Sequence, residues 1–196
     1  MSNIPPSFYT DSDVVNVARS LIGNFLFSKI DGVLTGGMIV ETEAYCESRD
    51  LAMQKHLARR PSSVEALKRQ GGVAYIYTVY GYHSMFNIVT NESNYADSVL
   101  IRAIAPTIGL ETMRERRGLG TSSRNLCSGP AKMSLALALT PVLNGVSLLD
   151  KTTVWVEDNA IPISTNQIAS SPRIGIDYAE HDAQLPWRFT LDSARK

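Results

Sequence analysis

The stretch Tyr75-Ile76-Tyr77-Thr78-Val79-Tyr80-Gly81-Tyr82-His83 decides how this chain is read, because it places four of the eight tyrosines within eight residues around one glycine. In an extended chain alternate side chains share a face, so Tyr75, Tyr77 and Val79 point one way and Ile76, Thr78 and Tyr80 the other. Tyr80-Gly81 reads as the turn to a second strand, Ser84–Thr90. Aromatic residues favour strands in general, but a tyrosine ring also suits stacking on a nucleobase, worth about 1–3 kcal/mol per base. A hairpin that serves the core and a base-stacking surface both remain open here.

Downstream come a polar loop Asn91–Asp97, a strand Ser98–Ala105 stopped by Pro106, and a helix Ile108–Arg117 with a basic end. After a loop Gly118–Ser123, Pro130 suits the first turn of a helix Pro130–Leu139. Weaker strands follow at Thr153–Val156, Ile161–Ser164 and Trp187–Leu191. Upstream, Asp11-Ser12-Asp13 has N-cap chemistry before Val14, Val15, Ala18, Leu21 and Ile22, whose helical spacing ends at Gly23. Runs Asn24–Ile30 and Val33–Thr42 flank Asp31-Gly32, a strong hairpin signal. Glu47–Gly72 reads as a long polar and basic excursion with one short helix, Val64–Arg69, and long excursions are often functional. Sequential strands of this kind predict an antiparallel sheet.

A length of 196 residues predicts one domain over 1–196, with residues 1–10 as a loosely ordered segment. Hydrophobic residues at 44% and charged residues at 19% fit a globular chain, and no apolar run is long enough for a membrane span. The N-terminus lacks signal-peptide features, so the expected location is cytoplasmic, nucleoid-associated in a bacterium and nuclear otherwise. Cys46 and Cys127 form no Cys-x-x-Cys pair and read as reduced thiols. Net charge is zero but uneven: residues 1–50 carry 3 basic and 7 acidic side chains, 51–132 carry 11 and 5, and 133–196 carry 5 and 7. The middle third, which includes Arg59, Arg60, Lys68, Arg69, Arg114, Arg116, Arg117, Arg124 and Lys132, can form a positive face for phosphates or a scattered solvated set.

His56, His83 and His181 show no metal-ligand spacing, so no metal is expected. Gly118-Leu119-Gly120 and Cys127-Ser128-Gly129-Pro130 resemble phosphate-binding turns without matching a nucleotide-binding loop, and the second reads equally as a plain helix start. Glu41 and Glu43, two apart on a strand, share a face. Beside a cleft one of them can serve as a general base, whereas at an exposed strand end both are solvated. Tyr45, two residues further, places an aromatic ring next to Glu43.

The segments Ile39-Val40-Glu41-Thr42-Glu43-Ala44-Tyr45, Tyr75–Gly81, Val99-Leu100-Ile101-Arg102-Ala103 and Leu126-Cys127-Ser128-Gly129-Pro130-Ala131-Lys132 together resemble the alkyladenine (3-methyladenine) DNA glycosylase family. The likeness runs in order from about Val17 to Leu191. It implies an α+β fold, a single mixed domain around a curved antiparallel sheet with peripheral helices and a protruding hairpin that enters the DNA minor groove. It implies a monomer that acts in base-excision repair on double-stranded DNA containing damaged purines, with no cofactor. By similarity, Tyr80 wedges into the stack, because unstacking costs a few kcal/mol. Tyr45 and Tyr77 sandwich the flipped base, Glu43 activates the water that attacks the sugar, and Arg102 positions that water. A carbonyl of the Arg173–Ile176 segment, assigned to Ile174, completes the water's hydrogen bonds, and Asn87 probes the purine edge. Ser128, Gly129 and Lys132 are the phosphate-contact candidates. An electron-rich slot also attracts a cationic alkylated base, on the order of 0.5–2 kcal/mol.

One departure stands out. Nine residues after Tyr45, where the family has a histidine, this chain has Gln54, in Asp50-Leu51-Ala52-Met53-Gln54. That places Gln54 at the base-binding position, with His56 two residues on as a substitute. It also keeps open a second function, a module that binds distorted DNA or RNA without efficient cleavage.

Overall fold

The computed structural model describes residues 2–118, 123–159 and 163–192. In chain order these form β1 (Ser2–Asn3), α1 (Pro6–Tyr9), α2 (Val14–Ser20), β2 (Phe25–Ile30), β3 (Val33–Tyr45), α3 (Leu51–Arg59), α4 (Val64–Leu67), β4 (Ala74–Val79), β5 (His83–Thr90) and β6 (Asp97–Ile108). Then come α5 (Leu110–Arg117), α6 (Ser123–Leu126), α7 (Pro130–Ala136), β7 (Val154–Asp158), β8 (Ile168–Ser171) and β9 (Arg188–Leu191). The fold is α+β: nine strands, all paired antiparallel, make one open sheet in the order β1-β7-β2-β3-β6-β5-β4, with β9 on β3 and β8 on β9.

The 13-residue β3 organises this sheet. Its first half pairs with β2, Glu41–Glu43 pair with β9 on the same edge, and nearly its whole length pairs with β6 on the other. The β3–β6 register shifts between Gly36 and Gly37, between Ile39 and Glu41, and between Glu41 and Thr42. Such shifts bend a strand and re-aim side chains. At the last of them Glu41 faces Ala103 and Thr42 faces Ile101, so Arg102 is the extra residue on β6. Core side chains such as Leu21, Leu26, Ile39, Phe86, Ile101 and Phe189 are buried between the sheet and the helices, with α2 against β3 and α7 against β5 and β6.

Several expectations need correction. Residues 2–10, expected to be loosely ordered, are packed: β1 pairs with β7, and Ile4 and Tyr9 are buried. Pro106 does not stop β6, which continues to Ile108. β5 pairs with β6 only through Asp97–Leu100, so no strand on that side requires the missing N–H of Pro106. The excursion Glu47–Gly72 contains the helix α3, whose start is fixed by Asp50 accepting the Ala52 N–H at 3.0 Å. Of the expected strand Ile161–Ser164, residues 161 and 162 lie outside the described residues, and Ile163 and Ser164 are not in a strand. A strand forms instead at Ile168–Ser171. Leu119, Gly120, Thr121 and Ser122 of the expected loop Gly118–Ser123 also lie outside the described residues.

Candidate active site

One line of opposed residues crosses five strands: Tyr75 of β4, Asn87 of β5, Leu100 of β6, Glu43 of β3 and Arg188 of β9. Directly opposed residues in antiparallel strands project on the same side. One step along, Tyr77 faces Met85. Over this face lies a cavity of about 610 Å³, whose walls include Tyr45, Tyr77, Tyr80, Asn87, Arg102 and Ile174. The size suits a small molecule or a single nucleobase. The structure thus brings six of the expected site residues around one space.

Glu43 sits behind that wall. It is 0% exposed and does not line the cavity, but two hydrogen-bond donors and one ion-pair partner that hold it do. The Ile174 N–H donates to Oε1 at 2.8 Å, the Tyr45 hydroxyl donates to Oε2 at 2.8 Å, and Arg102 Nη1 stands 3.2 Å from Oε2. Arg102 also donates through Nε to Glu41 at 2.9 Å, and Arg188 donates to the same Glu41 oxygen at 2.9 Å. Burial acts to lower the Arg102 pKa, but the charges of Glu43 and Glu41 outweigh it and hold the guanidinium above its ordinary value. Burial first, and then the Glu43 charge, push the Tyr45 phenol up, so it stays a donor.

Behind Tyr45 lies a stack. The Arg173 guanidinium is 4.7 Å from the Tyr45 ring centroid and 5.2 Å from that of Trp187. It is clamped by Asp50 through two hydrogen bonds of 2.5 and 2.7 Å and also donates to the carbonyls of Ala44 and Asp182. Asp50, which caps α3, is itself fully buried. One buried ion pair therefore orients both the helix and the ring.

The side of α3 that faces the cavity presents Ala52, Met53, His56 and Arg59, followed by Arg60 just past its end, the spacing of one helical face. Gln54 is on the other side. It is exposed, its side-chain amide donates to the Glu47 carbonyl at 2.9 Å, and its backbone N–H is taken by the Asp50 carbonyl within the helix. The place in the cavity wall expected of Gln54 is therefore occupied by His56. The His56 ring meets Tyr77 edge-on at 4.7 Å, and its Nε2 is 2.8 Å from the Tyr75 hydroxyl, which donates to Ser63 at 2.6 Å. Burial, then the charges of Arg60 and Arg59, push the His56 pKa down to about 4, so the ring is neutral at pH 7. The signal for this was present in the sequence: an N-cap residue, Asp50, ahead of Leu51, Ala52, Met53 and Leu57.

The Tyr80-Gly81 step forms the hairpin tip, with φ of 52° and 78° and the Tyr82 N–H returning to the Val79 carbonyl. Both values are positive, as in the mirror-image turns that suit a twisted hairpin. Tyr80 is 85% exposed. The Asn87 amide donates to the carbonyls of Tyr75 and Met85, which leaves its own carbonyl oxygen for a ligand. Ser128 and Gly129 precede α7, whose first residue, Pro130, lines the cavity, and Lys132 has no ion-pair partner among the described residues. Cys46 lies outside this cavity, its thiol 3.3 Å from the Ser48 hydroxyl.

The family model described as "Methylpurine-DNA glycosylase (MPG)" matches residues 7–195. The chain belongs to the methylpurine-DNA glycosylase family. Among similar proteins, one from Chlamydia felis named "Putative 3-methyladenine DNA glycosylase" is 41% identical over 190 residues, 96% of each chain. Proteins of the same name from Bacillus mycoides and Clostridium botulinum are 39% and 37% identical, covering 94% and 91% of each chain. These relatives are bacterial, and among the described residues no helix is long and apolar enough to cross a membrane. Two features of the cavity wall stand out: its histidine is His56, and both Tyr45 and Tyr77 carry a cation on the ring. Arg173 lies over Tyr45, and Arg60 lies 4.9 Å from the Tyr77 centroid.

Proposed function

We propose that this protein acts in base-excision repair as a monofunctional purine DNA glycosylase, flipping a damaged purine out of duplex DNA and hydrolysing its N-glycosidic bond. The observation that carries this reading is a buried carboxylate, Glu43, held by two hydrogen bonds and one ion pair from groups that line an aromatic, base-sized cavity. Each carboxylate oxygen offers two acceptor positions. Among the described residues Oε2 accepts from Tyr45 and is ion-paired with Arg102, and Oε1 accepts from the Ile174 N–H; in this reading the attacking water takes a further acceptor position on Oε1. That water attacks C1′ as the glycosidic bond breaks, its proton passes to Glu43, and the carboxylate supports the oxocarbenium-like sugar.

In this reading Tyr45, Tyr77 and His56 wall the base, Asn87 meets its edge, and Arg102 orients Glu43 and the water. Tyr80 fills the gap left in the stack, at a few kcal/mol of unstacking cost. Arg59 and Arg60, with Ser128, Gly129 and Lys132, face the phosphates, so binding weakens as salt rises. The enzyme works as a monomer wherever chromosomal DNA lies, in a bacterium at the nucleoid.

The test is single-turnover release of hypoxanthine or 3-methyladenine from duplex DNA by wild type and Glu43→Gln. Release by wild type that falls at least a hundredfold in Glu43→Gln supports the reading. Equal background rates in both leave the second reading, a module that binds distorted nucleic acid without cleaving it. That reading is motivated by Gln54, whose side chain lies outside the cavity wall that His56 joins.

A further inference from the structure

Arg188 stands directly opposite Glu43 in the β3–β9 register, yet its guanidinium pairs with Glu41. Neither Glu41 nor Arg188 lines the cavity. The pair is nevertheless joined to both oxygens of Glu43, by two separate arms. In the first, Glu41 Oε1 accepts from Arg102 Nε at 2.9 Å, and Nη1 of the same guanidinium stands 3.2 Å from Glu43 Oε2. In the second, the same Glu41 oxygen accepts from Arg188 Nη1 at 2.9 Å, and Arg188 Nε donates to the Pro172 carbonyl at 3.1 Å. Pro172 lies two residues before Ile174, whose N–H donates to Glu43 Oε1 at 2.8 Å.

The second arm matters because of where Ile174 sits. Residues 172–176 belong to no helix or strand, and Ile174 is 51% exposed, so packing does little to hold its N–H against Glu43. Its direction is set by the residues before it: Arg188 holds the Pro172 carbonyl, and Asp50 clamps Arg173. The charges are balanced as well, with two guanidinium groups meeting two carboxylates. Without Glu41, both guanidinium groups would be left to Glu43 alone, and Arg188 would lose the partner that keeps its Nε on Pro172.

We infer that Glu41 and Arg188 are positioning residues of this site: from behind the cavity wall they fix the two groups, Arg102 and the Ile174 N–H, that aim the Glu43 carboxylate. The inference rests on the glycosylase reading above and adds to it the parts that hold its general base. A carboxylate that takes a proton from a bound water must be held in direction as well as in place, and groups fixed beforehand need no rearrangement during the reaction. Because neither residue lines the cavity, loss of either lowers the rate of bond breaking and spares affinity.

The experiment has two readouts. Single-turnover excision of hypoxanthine at saturating enzyme and affinity for a lesion duplex are measured for wild type, Glu41→Gln, Arg188→Gln, Arg188→Lys and the double variant with both glutamines. Hydrogen exchange of the Ile174 amide is followed by NMR in the same proteins without DNA, with the amides of β6 as the control for the fold. We expect Glu41→Gln to lower the rate about tenfold, because hydrogen bonds to a charged group are lost, and to leave affinity within about twofold. Arg188→Gln should lower the rate about threefold, and the double variant should be no slower than Glu41→Gln, because Arg188 acts through Glu41. Ile174 exchange should rise about tenfold in every variant while β6 stays protected. Arg188→Lys is included in that rise, since its single nitrogen replaces a planar fork that spans Glu41 and Pro172. Effects that multiply in the double variant overturn the inference, as do wild-type Ile174 exchange in either Arg188 variant and a fall in affinity equal to the fall in rate. If Glu41→Gln also loosens β6, the Arg188 variants decide by the same readouts. Release of no base by wild type overturns the glycosylase reading itself, whereas Ile174 exchange still reports whether Glu41 and Arg188 hold that amide.

Discussion

The Tyr45 hydroxyl donates a 2.8 Å hydrogen bond to Glu43, two residues back on the same strand face. A ring that walls the cavity and the carboxylate beneath it are thereby one unit. Tyr45→Phe keeps the ring and removes the bond that holds Oε2. Expected is a single-turnover excision rate about tenfold lower, with affinity for a lesion duplex unchanged, because a hydrogen bond to a charged group is worth about 1.5–3 kcal/mol. Tyr45→Ala should lose both rate and affinity, stacking being worth about 1–3 kcal/mol. A phenylalanine variant as fast as wild type would separate the ring from the carboxylate.

The Asp50–Arg173 pair joins residues 123 apart in sequence and is buried on both sides. Asp50→Ala leaves Arg173 as an unpaired buried charge and removes the α3 cap. The expected loss of stability is about 3–5 kcal/mol, measured by urea unfolding. A loss below about 1 kcal/mol contradicts this account of how α3 and Tyr45 are held.

Tyr80 adopts a left-handed backbone conformation that costs a bulky residue about 1–2 kcal/mol and suits asparagine. Tyr80→Asn should therefore raise the melting temperature slightly while weakening binding to an abasic duplex about tenfold or more. Affinity equal to wild type removes the wedge assignment.

His56 gives a pH signature. Its folded pKa, about 4, lies below the ordinary 6.5, so between those values the unfolded chain binds the proton and the folded chain does not. Stability is therefore fully present above about pH 6.5 and declines as pH falls towards 4. Allowing for the ring's partial exposure, the effect is on the order of 2 kcal/mol. In His56→Phe, the urea midpoint should fall less between pH 7 and pH 4.5 than in wild type; parallel profiles exclude a buried neutral histidine.

Much of this was legible in local sequence. Asp31-Gly32 and Tyr80-Gly81 mark two hairpins, Asp13 caps α2, and the spacing of Glu41, Glu43 and Tyr45 puts them on one strand face, where Arg102 now joins the two carboxylates. Cap chemistry, turn dihedrals and strand alternation act over two to four residues, so the chain displays them directly. The family likeness rests on the same short segments.

Three things needed the tertiary structure. Whether Gln54 or His56 faces the cavity depends on the helical phase of α3, set by Asp50, whose position is held by Arg173 far along the chain. Arg102 reaches both carboxylates from a register shift between β3 and β6 that nothing in either strand's alternation announces. The charge in the slot follows from which arginines find carboxylates after folding: Arg102 and Arg173 do, while Arg59 and Arg60 rest on aromatic rings and stay unmatched. By itself, then, the sequence determined the strands, the turns and the residue types of the site. The fold decided which histidine and which cations line the cavity, because helical phase, bulge position and ion pairing are set by contacts between segments distant in the chain.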